Sequence, residues 1–315
     1  MRKHLCRVPP APDVLRELYI DFKNSGLGGK VTFAEYLTSL GYTDPSVNRD
    51  GMDDGVLFKR AAGPQLFEIP AIKVQGRLRV IVLLVDFPDR KGIRPVQEYE
   101  TLLFSPKTDS MADFYDEATE HKVQIEGSVH GWLTLPQLYK YYVNNESGMG
   151  NDHNTSYPHN AQRMAEDAVK AAMAQHVPFP ATLDCLGQGL VTALFIVHAG
   201  PGAEVMQPPL DRKYIWSHKW NLTEPISVAP ALDASVYLTV PENCKVGVCA
   251  HELGHLAFQW EDFYDANYTK DGQYWDGSGS WDLMAGGSYN GNGARPAHPA
   301  GLHKMQHGWV PVEEL

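Results

Sequence analysis

Residues 246–258 read VGVCAHELGHLAF, and the spacing within them decides how the rest of the chain is understood. The stretch opens on small and apolar residues, Val246 to Ala250, which suits a helix packed inside a domain rather than one lying in solvent. His251 and His255 are four residues apart, so on a helix both imidazoles project from one face and can share a tetrahedral zinc ion. Glu252 sits one residue further round the turn, where it reaches a water at the metal without being a ligand. Zinc brings the pKa of such a water to about 7. A neighbouring carboxylate can then take the proton as the water attacks a carbonyl, and pass it to the leaving amine. With 13 His in the chain, a chance arrangement on a surface helix is the competing reading, and the apolar lead-in argues against it.

A hydrolytic zinc site needs a third protein ligand and one open position. Acidic residues gather just beyond the second histidine, at Glu261, Asp262 and Asp265. If the helix ran on, Glu261 would point well off the histidine face. Asp262 would share that face but lie too far along the axis. The chain is therefore expected to bend between Ala257 and Glu261, and spacing alone leaves both Glu261 and Asp262 open as the third ligand.

Length and composition frame this site. The 315 residues, 43% of them apolar, are ample for a core, and the net charge of −11 argues against nucleic acid as a partner. The longest apolar run, Val80 to Val85, suits a buried strand and is far short of the ~20 residues of a membrane-spanning helix. Met1 to Cys6 are basic but lead into Pro9, Pro10 and Pro12, so no signal peptide is visible. Four Cys allow at most two disulfides, and Asn145, Asn154, Asn221 and Asn267 each begin an N-x-Ser/Thr triplet.

Two parts are expected, a small helical N-terminal segment over residues 1–75 and a catalytic domain over 76–315. In the first, Asp13 is expected to cap a helix through Val14, Leu15, Leu18 and Phe22, with a second short helix over Phe33 to Leu40. A polar linker over Asp44 to Gly55 follows. From Gly76 the pattern alternates. Strands are expected at Arg77 to Asp86, Lys122 to His130 and Leu190 to His198. Helices are expected at Ser110 to Glu120, Asn160 to His176, Val246 to Phe258 and Pro299 to Gln306, with a Gly-rich loop over Gly277 to Gly293. Such alternation points to an α/β domain with a twisted mixed sheet.

Several segments together resemble the immune inhibitor A family of secreted bacterial metallopeptidases, a branch related to the metzincins. They are VIVLLVDFPDR (80–90), IWSHKW (215–220), GVCAHELGH (247–255), DFYD (262–265), SWDLMAGGS (280–288) and HKMQHGWV (303–310), in the family's order. The start, LCRVPPAPDVL (5–15), is also similar. The resemblance implies a metzincin-like catalytic domain, a zinc cofactor, protein or peptide substrates cut by endoproteolysis, and secretion. It also implies that Met284 forms a Met-turn, an apolar floor beneath the metal. One departure stands out. The family usually has Gly three residues after the second His and an Asp at the sixth, whereas Phe258 and Glu261 occupy those positions here. Aligning on the Asp-x-Tyr-Asp stretch favours Asp262 as the ligand, and counting from His255 favours Glu261.

Other residues carry second readings. Cys6, in LCRVP, is a candidate latency thiol for the zinc, within a pro-segment covering the cleft, against an ordinary terminal cysteine. Cys244 and Cys249 flank the start of the helix; a disulfide fits a bent segment, while an unbroken helix would point the thiols apart. Asp265, Asn267, Asp271 and Asp276 are candidate calcium ligands, against a solvated acidic loop. His218 and Tyr289 are candidates for stabilising an oxyanion. The sequence thus predicts a zinc endopeptidase with Glu252 as base. A non-catalytic binding or adhesion protein of the same fold, and a zinc hydrolase of non-peptide substrates, are the rivals. Oligomeric state has no sequence signal.

Overall fold

The computed structural model describes residues 6–40, 72–150, 156–264 and 276–311. The expected linker over 44–55 lies outside them.

The frame is one mixed sheet built on β2 (Gly76–Asp86), whose residues from Val80 onward are all buried. β2 pairs in parallel with β3 (Val123–Thr134) on one side and β4 (Ala193–His198) on the other. β4 pairs in parallel with β6 (Leu232–Pro241), and β6 in antiparallel with β5 (His218–Ala229). A two-residue strand, β1 (Cys6–Arg7), joins the outer edge of β5, giving the order β1-β5-β6-β4-β2-β3. β2 and β4 are continuous apolar runs because helices cover both faces of the sheet. On one face α3 (Val96–Phe104), α4 (Met111–Ala118) and α7 (Val246–Phe258) touch one another; on the other α5 (Tyr139–Val143) meets α6 (Ala161–Ala174). The mixed α/β sheet with its internal helix is the fold class that the sequence predicts.

Local chemistry sets the helix ends. Ser110 opens α4 with a reciprocal capping box to Asp113, and Asn160 caps α6 through the Arg163 N–H. α1 (Pro12–Asn24) departs from expectation. Its N-cap is Ala11, with no side-chain cap, so Asp13 lies inside the first turn; Pro12 starts the helix because its missing N–H would be unpaired there in any case. α1 and α2 (Phe33–Ser39) form a hairpin held by Phe22, Phe33 and Tyr36, with ring centroids 5.4–6.3 Å apart. The β5–β6 hairpin and α3 are absent from the sequence expectations. The predicted strand at Leu190 begins only at Ala193, with Leu190 making a single bridge to Asp233.

β6 feeds α7 through residues 242–245, and α7 is buried along its whole length. It lies so close to the turn at 286–289 that a Cβ on Gly247 would come within 1.8 Å of the Ser288 carbonyl oxygen. The Gly247 N–H also donates to Gly293 O at 2.8 Å. Gly301, at the start of α8 (Gly301–Gln306), has nothing within 4 Å of its missing Cβ. Gly247→Ala is therefore expected to lower the unfolding free energy by about 2–3 kcal/mol in urea denaturation. Gly301→Ala, measured alongside, is expected to stay within about 0.5 kcal/mol of the parent.

Candidate metal centre

α7 presents His251 and His255 on one face with their Nε2 atoms 3.1 Å apart. Each ring is oriented by a backbone carbonyl: His251 Nδ1 lies 2.9 Å from Leu283 O, and His255 Nδ1 lies 2.8 Å from Trp260 O. Those partners accept only, so the proton sits on Nδ1 in both rings and both Nε2 lone pairs face inward.

The third group arrives by a reversal of the chain. Gln259 takes the left-handed conformation (φ 58°, ψ 33°), ending α7, and its N–H turns back to Gly254 O. The Trp260 N–H donates to the same carbonyl at 3.2 Å. Gly254 permits this, because a Cβ there would lie 2.7 Å from the Trp260 ring and 2.9 Å from Met284 Sδ. Beyond the bend, Asp262 Oδ1 comes to 3.3 Å from His251 Nε2 and 3.1 Å from His255 Nε2. Among the described residues these three form the one cluster with metal-ligand potential, and Glu261 is not a member.

Four donors at zinc bond lengths of about 2.0–2.1 Å sit roughly 3.3 Å from one another in a tetrahedron. The observed 3.1–3.3 Å spacing matches three of its corners. Two inward lone pairs and a buried carboxylate repel one another unless a cation lies between them. Neither Asp262 oxygen has a hydrogen-bond partner. The residues present therefore fit a metal of zinc's size and ligand preference.

Glu252 is fully buried beside this cluster, and neither of its carboxylate oxygens has a hydrogen-bond partner. Burial pushes its carboxyl well above the usual range, with Asp262 and Glu204 adding to the rise. Glu204 is a buried acid that the sequence reading missed. Its Oε1 accepts from Ser217 Oγ at 2.6 Å and its Oε2 from the Ser217 N–H at 3.2 Å. No motif announces it; only the fold brings it near Glu252.

Aromatic rings brace the reversal. His303 stacks on Trp260 (5.1 Å, 21°) and on Phe263 (4.4 Å, 26°), and His307 reaches Phe258 O through Nε2 at 3.0 Å. The segment before α8 does the rest. Asp282 accepts the Met284 and Ala300 N–H groups, each at 3.1 Å, and Met284 O accepts the Phe263 N–H at 2.8 Å. Met284 is buried beside α7, under the reversal.

The N-terminal segment lies over Glu252. β1 pairs with His218 and Lys219 of β5, and the Val8 N–H donates to Ser217 O at 3.2 Å while facing the Glu252 carboxylate. Val8 O accepts from Trp216 Nε1 at 2.8 Å, and Pro9 O from the Tyr289 hydroxyl at 2.6 Å. Next to it a cavity of about 710 Å³ opens between Pro9, Leu15 and Tyr19 on one side and Tyr264, Ser280 and Tyr289 on the other.

The two oxyanion candidates separate here. His218 has both nitrogens committed, Nδ1 to Trp216 O at 2.6 Å and Nε2 to the Tyr237 hydroxyl at 3.0 Å, and burial pulls it down to about 4. It is a structural histidine. Tyr289, by contrast, points its hydroxyl at a backbone carbonyl beside Glu252. Of the calcium candidates, Asp265, Asn267 and Asp271 lie outside the described residues, and Asp276 is exposed. The Cys6 side chain is likewise outside them.

Residues 95–312 match the family model described as immune inhibitor A peptidase M6, catalytic domain. Immune inhibitor A of Bacillus thuringiensis subsp. alesti is 28% identical over 260 residues, covering 68% of this chain and 36% of that protein. The pre-pro-metalloprotease PrtV of Vibrio cholerae serotype O1 is 28% identical over 285 residues, covering 72% of this chain and 30% of that protein. The chain thus spans about a third of the length of the relatives it matches. With more than half of its residues matched to the family's catalytic domain, the chain belongs to the immune inhibitor A peptidase M6 family.

Proposed function

We propose that the protein is a zinc-dependent endopeptidase in which His251, His255 and Asp262 hold the metal and Glu252 is general base and general acid. The observation that carries this reading is the convergence of two imidazole lone pairs and an otherwise unbonded carboxylate at 3.1–3.3 Å, beside a second buried carboxylate with no partner. When bound, zinc supplies Lewis acidity, lowering the pKa of a water toward about 7 and polarising the carbonyl to be attacked. Glu252 takes the proton of the attacking water on its carboxylate and returns it to the leaving nitrogen. Tyr289 stabilises negative charge on the attacked carbonyl oxygen, because its hydroxyl already donates to a main-chain carbonyl, Pro9 O, at 2.6 Å. Met284 is the Met-turn residue, and Glu261 is not a ligand. A purely structural or adhesive site would have no use for the unspent carboxylate of Glu252.

Protein substrates follow from the edge strand. The outer edge of β5 is paired by β1 through main-chain bonds, which is how an extended peptide adds to a sheet. Residues 1–75 are then a pro-segment and residues 76–315 the catalytic domain, with Val8 and Pro9 covering the base. Export from the cell accords with the term pre-pro in the name of the Vibrio relative.

Elemental analysis is expected to find about one zinc per chain. Asp262→Ala is expected to lose zinc in chelator competition by 10-fold or more, and Glu261→Ala to retain it; the reverse result transfers the ligand role to Glu261. Val8→Asp buries a carboxylate at a fully enclosed position of the segment over Glu252, so it is expected to expel the covering segment and raise casein cleavage several-fold. A folded Val8→Asp protein no faster than the parent removes the pro-segment assignment. Glu252→Gln, compared with Glu252 in the Val8→Asp background, is expected to keep zinc and lower kcat by roughly 10²–10⁴-fold. Equal kcat in the two sinks Glu252 as the base.

A further inference from the structure

Two cysteines meet at the start of the metal-binding helix. Lys245, in extended conformation (φ −121°, ψ 165°), is the N-cap of α7, so Cys244 precedes the cap and Cys249 is the fourth helical residue. In helices these two positions lie against each other: the chain entering the helix folds its last side chain over the first turn, where apolar pairs commonly form a staple. Both residues are buried, Cys244 at 4% and Cys249 at 0% exposure, and the two thiols are near enough for each to bear on the other's ionisation. Spacing inside a continuous helix would separate them. They meet because Cys244 stands outside the helix, across an extended residue. The other described free cysteine, Cys185, is engaged elsewhere, its Sγ 3.1 Å from the Arg79 nitrogen on β2.

We propose that Cys244 and Cys249 are joined by a disulfide when the chain folds in an oxidising compartment, turning the hydrophobic staple of α7 into a covalent one. The oxidant is a small-molecule disulfide such as oxidised glutathione. Cys244 sulfur displaces one glutathione thiol to form a mixed disulfide; Cys249 sulfur then displaces the second. Two protein thiols and one small disulfide become one protein disulfide and two small thiols, each taking up one of the two protons released. Because both sulfurs are buried in the folded chain, exchange takes place while α7 is still forming. Once made, the bond closes a loop of six residues and fixes the helix turn that leads into His251.

The test refolds the full chain either with mixed oxidised and reduced glutathione or with reduced glutathione alone. It then alkylates free thiols and digests with trypsin without reduction. Lys245 separates the two cysteines, so cleavage after it puts them on different peptides, 220–245 and 246–270. From the oxidising sample these are expected as one species, two hydrogens lighter than their sum, resolving into two on reduction. The oxidised protein is expected to melt roughly 3–8 °C above the reduced one, and Cys244→Ser is expected to abolish the difference. Full alkylation of both cysteines after oxidising refolding, or linkage of either to Cys6 or Cys185, overturns the proposal. A linked pair with an unchanged Tm overturns the staple. Neither readout depends on zinc or on peptidase activity.

Discussion

Three electron-rich atoms held within 3.3 Å of one another, inside a region closed to solvent, are the constraint around which this molecule is arranged. Left alone they repel. A fold that holds them there must supply enough rigidity from its surroundings to resist that repulsion until a cation relieves it. The sheet provides the platform, since β6 delivers the chain to α7 and the buried β2 and β4 lock β6 in place. The helix provides two of the atoms on one face. The third comes from outside the helix, and most of the packing near the site serves to bring it back.

That return depends on absence of side-chain bulk at one point and abundance of it at another. Gly254 leaves room for the Trp260 ring to fold onto α7, and the rings of His303, His307 and Trp309 then fill the space behind the bend. The Phe263 N–H bonded to Met284 O ties the far side of the bend to the segment that also orients His251. The reversal and the Met284 segment are thus one unit. A displacement of either moves one of the three converging groups.

Much of this was open to reading from residues alone. The expected helix at Val246 to Phe258 has the observed bounds, because an apolar lead-in and two histidines on one face allow no other register. The strand at Arg77 to Asp86 also declared itself through an unbroken apolar run. The bend was required by counting, but its product was not readable. Gln259 is a residue type that seldom adopts positive φ, so nothing at that position distinguished Asp262 from Glu261. β5 escaped notice because Pro225 and a register shift between Asn221 and Ile226 break its alternation. Glu204 is a lone acid whose meaning is wholly tertiary.

Both histidines are oriented by peptide carbonyls, Leu283 O and Trp260 O, rather than by side chains. Every residue but proline presents the same main chain, and the acceptor survives any substitution at 283 or 260 that leaves the path of the chain intact. The two imidazoles are thereby insulated from drift in the residues that aim them. Divergent relatives can rewrite the surroundings of such a site letter by letter while its geometry stays put, and what selection must guard is the course of the backbone.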